Sequence, residues 1–407
     1  MKEILYLTYD GLTDPLGQSQ IIPYLQGLTK YGYKFTILSF EKKERFKKNE
    51  DEVRRLLQPY KIEWKALSFT KRPPFVAKIF DAFRMKRNAF RLQKKRAFDM
   101  IHCRSYMAAD IGLSMKNKFG VKFFFDMRGF WADEKVDNGQ WDKKNFLFRS
   151  IYRYYKKKEK SFLLQADAVI SLTEAANNEI RKNPGYKNLQ VDVIPCCADL
   201  GHFNYENVDP QKSLELRRQL GISPEKKIIS YLGSVGGWYM TTEMFSFYKR
   251  LLQQYPSFLM LFLTKDDPSK VLSEALSAGI PKDKIIVTFS ERKELPIYLS
   301  LCDCSIFFIR PTYSKIASSP TKHGELMGMG IPIVCNDIGD TGNIILKTNT
   351  GIIIDGFNDH EYDQAINKFP GLLSIDKKII RQAAFKYFDL AEGIFKYSEV
   401  YKRVFSS

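Results

Sequence analysis

Ser318, Ser319, Pro320, Thr321, Lys322 and Glu325 put a hydroxyl cluster, a cation and a carboxylate within eight consecutive residues, and an apolar run, 331–335, follows directly. Proline is tolerated in the first turn of a helix, where Ser318 or Ser319 can cap the free backbone amides. Those amides, with Lys322 beside them, suit an anion such as a diphosphate. Glu325 lies within one turn of Lys322, so both side chains reach the same mouth. A carboxylate that close to phosphate would repel it, and Glu325 is better read as an acceptor for sugar hydroxyls. The constellation has the chemistry of a nucleotide site.

Other residues that could do chemistry sit where apolar runs end. Asp126 and Arg128 follow the run 123–125, and strand ends in open parallel sheets point at the ligand crevice. Arg128 reads as a cation for phosphate or acceptor, and Asp126, Asp133 or Glu134 as acceptors for sugar hydroxyls. The alternative is a salt bridge that orders the loop. His102 ends another apolar run and reads as structural. Gly11 and Gly17 flank a strand-to-helix turn with Gln18 and Ser19 as donors, in a spacing that is not the dinucleotide fingerprint. Ser234 and Gly236 belong to a second small-residue turn, 233–237, where backbone can meet phosphate. Asp266 and Asp267 suit a helix cap, and no aspartate pair with a third ligand marks a metal site.

The segment Pro320, Lys322, Glu325, Gly330, Pro332 resembles the Pro-x-Lys-x-x-Glu-x-x-x-x-Gly-x-Pro pattern of the retaining glycosyltransferases of family 4. That family has the GT-B fold, α/β with two Rossmann-like domains whose parallel sheets face a central cleft. The resemblance implies a UDP- or GDP-linked sugar as donor, Glu325 on its ribose, and a Gly17 loop facing the diphosphate and the acceptor. It also implies that 289–292 hold the base. Two departures follow. Ala317 stands where relatives often have a second glutamate, and Arg128 where they often have a histidine. Relatives also carry cations in the turn that here holds Ser234, so Lys265 and Arg310, with Lys322, are the candidates to neutralise the diphosphate. From the residues and the resemblance together, the expected site is Lys322, Arg128 and Asp126 for catalysis, with Gly17, Gln18, Ser234, Gly236, Lys265, Arg310, Ser319, Thr321 and Glu325 on the donor. The expected reaction is metal-independent and needs no cofactor.

The elements that must position these residues alternate throughout, short apolar runs with helical patterns, as in parallel sheets covered by helices. Strands are predicted at 4–8, 35–40, 100–103, 122–126, 168–172 and 191–195, and again at 227–233, 259–264, 285–289, 305–309, 331–335 and 351–354. At 407 residues, two domains are expected, 1–200 and 201–387, with the polar stretch 198–226 at the boundary. By resemblance the closing helix, 388–407, crosses back to the first domain.

Charge is uneven. Residues 1–200 hold 39 Lys and Arg against 23 Asp and Glu, whereas residues 201–407 hold 25 against 23. The first half therefore meets an anionic partner. Within 71–98, ten cations oppose Asp81 alone, and Phe75, Ile79 and Phe83 fall four apart. Such a helix can lie on an anionic membrane surface, and 148–160 is a second basic aromatic block. The alternative is that these aromatics pack inward. No signal peptide or span of ~20 apolar residues is expected, and the six cysteines suit a reduced cytoplasm. A cytoplasmic enzyme peripheral to the inner membrane face, acting on a saccharide or lipid-linked saccharide, is the expectation. The alternatives are a nucleotide-sugar epimerase of similar fold and a basic nucleic-acid-binding protein.

Overall fold

The computed structural model describes residues 1–70 and 74–406. Its contacts divide the chain into two compact units, Met1–Pro195 with Leu390–Ser407, and Cys196–Asp389.

The first unit is built on seven parallel strands: β1 (Lys2–Thr8), β2 (Tyr33–Glu41), β3 (Glu63–Ser68), β4 (Met100–Arg104), β5 (Lys122–Asp126), β6 (Ala168–Ser171) and β7 (Val191–Val193). Their order is β3-β2-β1-β4-β5-β6-β7. The second unit has six: β8 (Lys227–Leu232), β9 (Phe258–Leu263), β10 (Ile285–Thr288), β11 (Cys304–Phe307), β12 (Ile333–Cys335) and β13 (Gly351–Ile353), in the order β10-β9-β8-β11-β12-β13. All pairings within both sheets are parallel. Strands covered on both faces must be apolar almost throughout, which is why β9 (Phe-Leu-Met-Leu-Phe-Leu) is buried at every position.

Each sheet reverses its strand order once, between β1 and β4 and between β8 and β11. Ligands of open α/β sheets bind outside the carboxyl ends of the strands at such a reversal. The residues singled out above at the ends of β4, β5, β8 and β11 stand at or beside these two points.

One strand is absent from the sequence expectation. β3 is an edge strand in which only Trp64 is buried, with its indole N–H donating to Ser39 Oγ at 2.9 Å. Glu63 and Lys65 on either side hide it, since an edge strand needs no continuous apolar run.

The helix Leu390–Ser406 packs in the first unit against the helix Ile22–Thr29. Tyr397, Val400, Tyr401 and Val404 are buried on its inner face, while Phe395 is exposed. The approach is close enough that a Cβ on Gly27 would lie 2.3 Å from Ile394 Cδ1. Among the described residues, no helix is long and apolar enough to cross a membrane.

Candidate nucleotide site and its surroundings

The helix Thr321–Gly328 begins as the motif requires but is capped differently. Pro320 itself occupies the N-cap position, and no side chain caps that end. The expectation that Ser318 or Ser319 caps the helix is not met. Ser318 is extended, and the Ser319 hydroxyl accepts the Cys196 N–H at 3.1 Å. His323 N–H donates to the Pro320 carbonyl at 3.0 Å, and no side chain caps the amides of Thr321 and Lys322, as an anion site requires.

Lys322 is 7% exposed, and its ammonium is enclosed by rings instead of acceptors. Nζ lies 3.7 Å from the Tyr239 ring centre, 4.4 Å from that of Tyr231 and 5.8 Å from that of Phe307. It has no hydrogen-bond partner among the described residues. Burial brings it down to about 7, and nearby Glu325 opposes this only in part. Burial also pushes both phenols up, Tyr239 to about 12, so they stay neutral beside it. A buried cation without an acceptor, next to open helix amides, is half of an ion pair.

The turn after β8 closes over this ammonium. Gly233 has a φ of +126°, and a Cβ there would stand 2.7 Å from Lys322 Nζ, so only glycine admits both. The turn is tied from several sides. The Tyr231 hydroxyl donates to the Ser234 carbonyl, Val235 N–H to Asp266 Oδ2 at 2.5 Å, and Gly236 N–H to Thr241 Oγ1 at 3.2 Å. Met240 N–H donates to the Phe308 carbonyl at 3.0 Å and Arg310 N–H to that of Trp238 at 2.8 Å, which lays 238–240 along the end of β11. Asn336 grips Ile309 at both backbone N–H and carbonyl, 2.8 Å each. Ser234, Gly236 and Arg310 are thereby brought to one sheet reversal with Lys322. Lys265 instead lies over the Phe289 ring, 5.0 Å from its centre. Of the two adjacent aspartates, only Asp267 caps a helix, accepting Ser269 N–H at 2.9 Å, while Asp266 holds the turn.

Glu325 is buried on the same helix, yet its partner is Arg292, whose Nη1 donates to Oε1 at 2.6 Å. Sequence reading placed Arg292 only within a base-holding segment, and Tyr231 and Tyr239 escaped it altogether. For Tyr231, an aromatic ring in β8 beside Ile228, Ile229 and Leu232 was the available signal.

In the first unit, the ends of β1, β4 and β5 carry a second polar cluster. Asp126 is 1% exposed, with Arg128 Nη1 3.7 Å from Oδ1 and Arg104 Nη1 3.8 Å from Oδ2. His102 Nε2 lies 3.6 Å from Asp126 Oδ2, and its Nδ1 shares a hydrogen bond with the Tyr401 hydroxyl at 2.6 Å. Arg104 Nε also donates to Asp10 at 3.1 Å. Burial alone would raise the Asp126 carboxyl, but Arg128, His102 and Arg104 hold it below its usual value. Burial keeps His102 below its own, with Asp126 opposing. So enclosed, Asp126 orients the arginines. Arg128 adopts a φ of +58°, a conformation that non-glycine residues seldom hold without a local reason. Asp133 is an ordering residue, bonded by the Tyr152 hydroxyl at 2.7 Å and Lys156 Nζ at 2.9 Å.

The turn 11–14 is locked by Glu41, which sequence reading missed, and the expected Gly17 loop is instead the helix Pro15–Gln20, which carries Gly17 and Gln18. The buried Glu41 carboxylate accepts from Leu12 N–H (2.8 Å), Thr13 N–H (3.1 Å), Thr13 Oγ1 (2.5 Å) and Ser39 Oγ (2.6 Å). Gly17 is required for packing, since a Cβ there would lie 2.2 Å from the Gly11 carbonyl oxygen.

On the basic helix Pro74–Arg96, Ile79 (59%), Phe80 (51%) and Phe83 (61%) face solvent, while Ala77, Asp81, Met85 and Ala89 face the core. The apolar stripe therefore points outward at the two described positions, with Phe75 outside the described side chains. Phe146, Leu147 and Tyr154 on the helix Phe146–Gln165 are exposed as well.

Comparison with known proteins fixes the class. Residues 22–202 match the family model described as Glycosyltransferase Family 4, and residues 212–383 match the one described as Glycosyl transferases group 1. Each unit thus matches a glycosyltransferase family model, and the two parallel-sheet units have the GT-B fold. In sequence it is 18% identical over 288 residues to the D-inositol 3-phosphate glycosyltransferase of Rhodococcus jostii, a match that spans 68% of this chain and 60% of that protein. In structure it resembles HepE of Anabaena in complex with UDP and glucose, with a TM-score of 0.71, 14% identity and coverage of 99% of this chain and 100% of that one. The sucrose-phosphate synthase of Thermosynechococcus elongatus gives a TM-score of 0.72 at 13% identity over the whole of both chains. At such identities the likeness is one of fold.

Proposed function

We propose that the chain transfers a sugar from a UDP- or GDP-linked donor to a hydroxyl of a saccharide or lipid-linked saccharide, with retention at the anomeric carbon and without a metal. The observation that carries this reading is the Lys322 ammonium, buried without an acceptor between Gly233 and the open start of its helix. A diphosphate supplies the missing charge, and its β-phosphate gains negative charge as the sugar leaves. Fixed cations and helix amides stabilise that developing charge more than the ground state. Lys322, with the amides of Thr321 and Lys322, does this, and Arg310, Ser234, Gly236, Ser319 and Lys265 complete the donor surroundings. Glu325 takes the ribose hydroxyls. In the first unit, the helix carrying Gly17 and Gln18 faces the donor, and Arg128, oriented by Asp126, meets the acceptor. The acceptor hydroxyl attacks on the face the diphosphate leaves, a leaving-group oxygen takes its proton, and no protein nucleophile is required.

The HepE complex with UDP and glucose supports a nucleotide-sugar donor, and the inositol phosphate glycosyltransferases support a polyol or sugar acceptor. The epimerase reading is weaker, because both matching family models are glycosyltransferase models. The nucleic-acid reading rests on the charge of the first half alone. That charge, with Ile79, Phe80 and Phe83 exposed on a basic helix, supports a peripheral position on the anionic inner face of a membrane, where a lipid-linked acceptor would be presented as part of surface polysaccharide assembly.

The test is a thermal-shift screen against UDP, GDP and their sugar conjugates, followed by donor hydrolysis with Lys322→Ala and Glu325→Ala. Both substitutions are expected to abolish donor use with the fold retained. Full activity in either would contradict the site.

A further inference from the structure

Arg292 is held on three sides. Its carbonyl accepts from His202 Nε2 at 2.8 Å, its guanidinium lies over the Phe203 ring with the centre 5.0 Å away, and its Nη1 donates to Glu325 Oε1 at 2.6 Å. Glu325 Oε2 makes no hydrogen bond to another described residue. The two side chains differ in exposure, with Glu325 at 7% and Arg292 at 37%. A buried carboxylate one turn from Lys322 would be expected to pair with it, yet the lysine points into its tyrosine cage and the carboxylate is drawn to Arg292.

This has a consequence for recognition. A carboxylate on a flexible stem loses side-chain entropy when it binds a diol. One already pinned through Oε1 presents Oε2 in a fixed direction. A charge-assisted contact to a hydroxyl is also worth more when the acceptor is held and shielded than when it is mobile.

We propose that Arg292 is a positioning residue for ribose recognition: by fixing Glu325 through one oxygen it leaves the other for the ribose hydroxyls, and so sets the preference for ribonucleotides over 2′-deoxyribonucleotides. This rests on the reading of Glu325 as the ribose acceptor. A purely structural role for Arg292 would weaken all nucleotides alike. A positioning role weakens only those that carry the hydroxyl.

Calorimetric titration of the full chain with UDP and 2′-deoxy-UDP, and with GDP and 2′-deoxy-GDP, separates the two. For whichever base binds, the unaltered protein should prefer the ribonucleotide by about tenfold or more, as expected for a hydrogen bond to a charged group. In Arg292→Ala the preference should fall to about threefold or less, through loss of ribonucleotide affinity with the deoxy affinity nearly kept, and Arg292→Lys should restore part of it. Melting of each variant checks the fold. Equal loss for both members of a pair, or an unchanged preference in Arg292→Ala, overturns the proposal. If the unaltered protein binds UDP or GDP without ribose preference and Glu325→Ala binds equally well, the ribose role of Glu325 fails, and the role of Arg292 with it. No binding of either ribonucleotide removes the nucleotide site itself.

Discussion

Lys322 sits between two demands, burial that favours the neutral amine and an approaching diphosphate that favours the ammonium. With the free residue near 7, the empty site at pH 8 is mostly neutral, and binding a diphosphate must draw a proton from solution. The groups that face it are Tyr231, Tyr239 and Glu325, and both phenols stay neutral in this range. Proton uptake, measured by titration calorimetry in buffers of different ionisation enthalpy, is expected to approach one at pH 8 to 8.5 and to vanish below pH 6. Affinity should fall as pH rises above 7, by at most about tenfold per unit. Uptake of zero at pH 8 would mean that the cage does not depress the amine. The effect on folding has the opposite sense. An unfolded lysine keeps its proton to about pH 10, so the folded state gains stability as pH rises from 7 toward 10. Gly233→Ala provides a second check at this scale, since the new methyl must displace Nζ and occupy a backbone conformation reserved for glycine. Donor hydrolysis is expected to drop by about two orders of magnitude or more, the scale seen when a reacting group is misplaced by about 1 Å. Activity within threefold of the parent would contradict the contact.

At the scale of elements, what can be read from sequence depends on how many neighbours an element must satisfy. Twelve strands were legible because each holds or adjoins a short apolar run, buried at every position in β9 and shorter in the edge strands β7, β10 and β13. β3, also at an edge, was not, because Glu63 and Lys65 break its apolar run. The helix Thr321–Gly328 was legible through Pro320, Lys322 and Glu325. Its cap was not, since capping depends on the path of the preceding turn, and that turn sends Ser319 to Cys196. Glu41 and Arg292 act on residues 28 and 33 positions away, distances over which local spacing carries no signal. The helix Pro74–Arg96 has two faces, Met85 and Ala89 inward, Ile79 and Phe83 outward among lysines and arginines. Ile79→Glu with Phe83→Glu should remove flotation with anionic vesicles while leaving donor hydrolysis unchanged. Each buried apolar side chain contributes about 1.5–3 kcal/mol, and each introduced carboxylate repels the anionic surface. Flotation as strong as that of the parent would assign the patch another purpose.

For the whole molecule, the chain leaves its first unit at Pro195, builds the second, and returns at Leu390 to complete the first. The returning helix is part of that unit's core. Tyr397, Val400, Tyr401 and Val404 are buried, and Tyr401 holds His102 directly. Burying these four side chains contributes about 6–12 kcal/mol, comparable to the whole stability of an ordinary domain. A chain ended at Asp389 is therefore expected to lose the cooperative unfolding transition of the first unit, read by circular dichroism and calorimetry, while the second unit still melts cooperatively. Retention of both transitions would show that the helix is dispensable.

The most direct measurement is a crystal structure of the full chain soaked with UDP, GDP or a sugar conjugate of either. A phosphate oxygen within about 3 Å of Lys322 Nζ, with the ribose on Glu325, is the expected result. A nucleotide bound with its phosphates remote from Lys322 and its ribose away from Glu325 would contradict it.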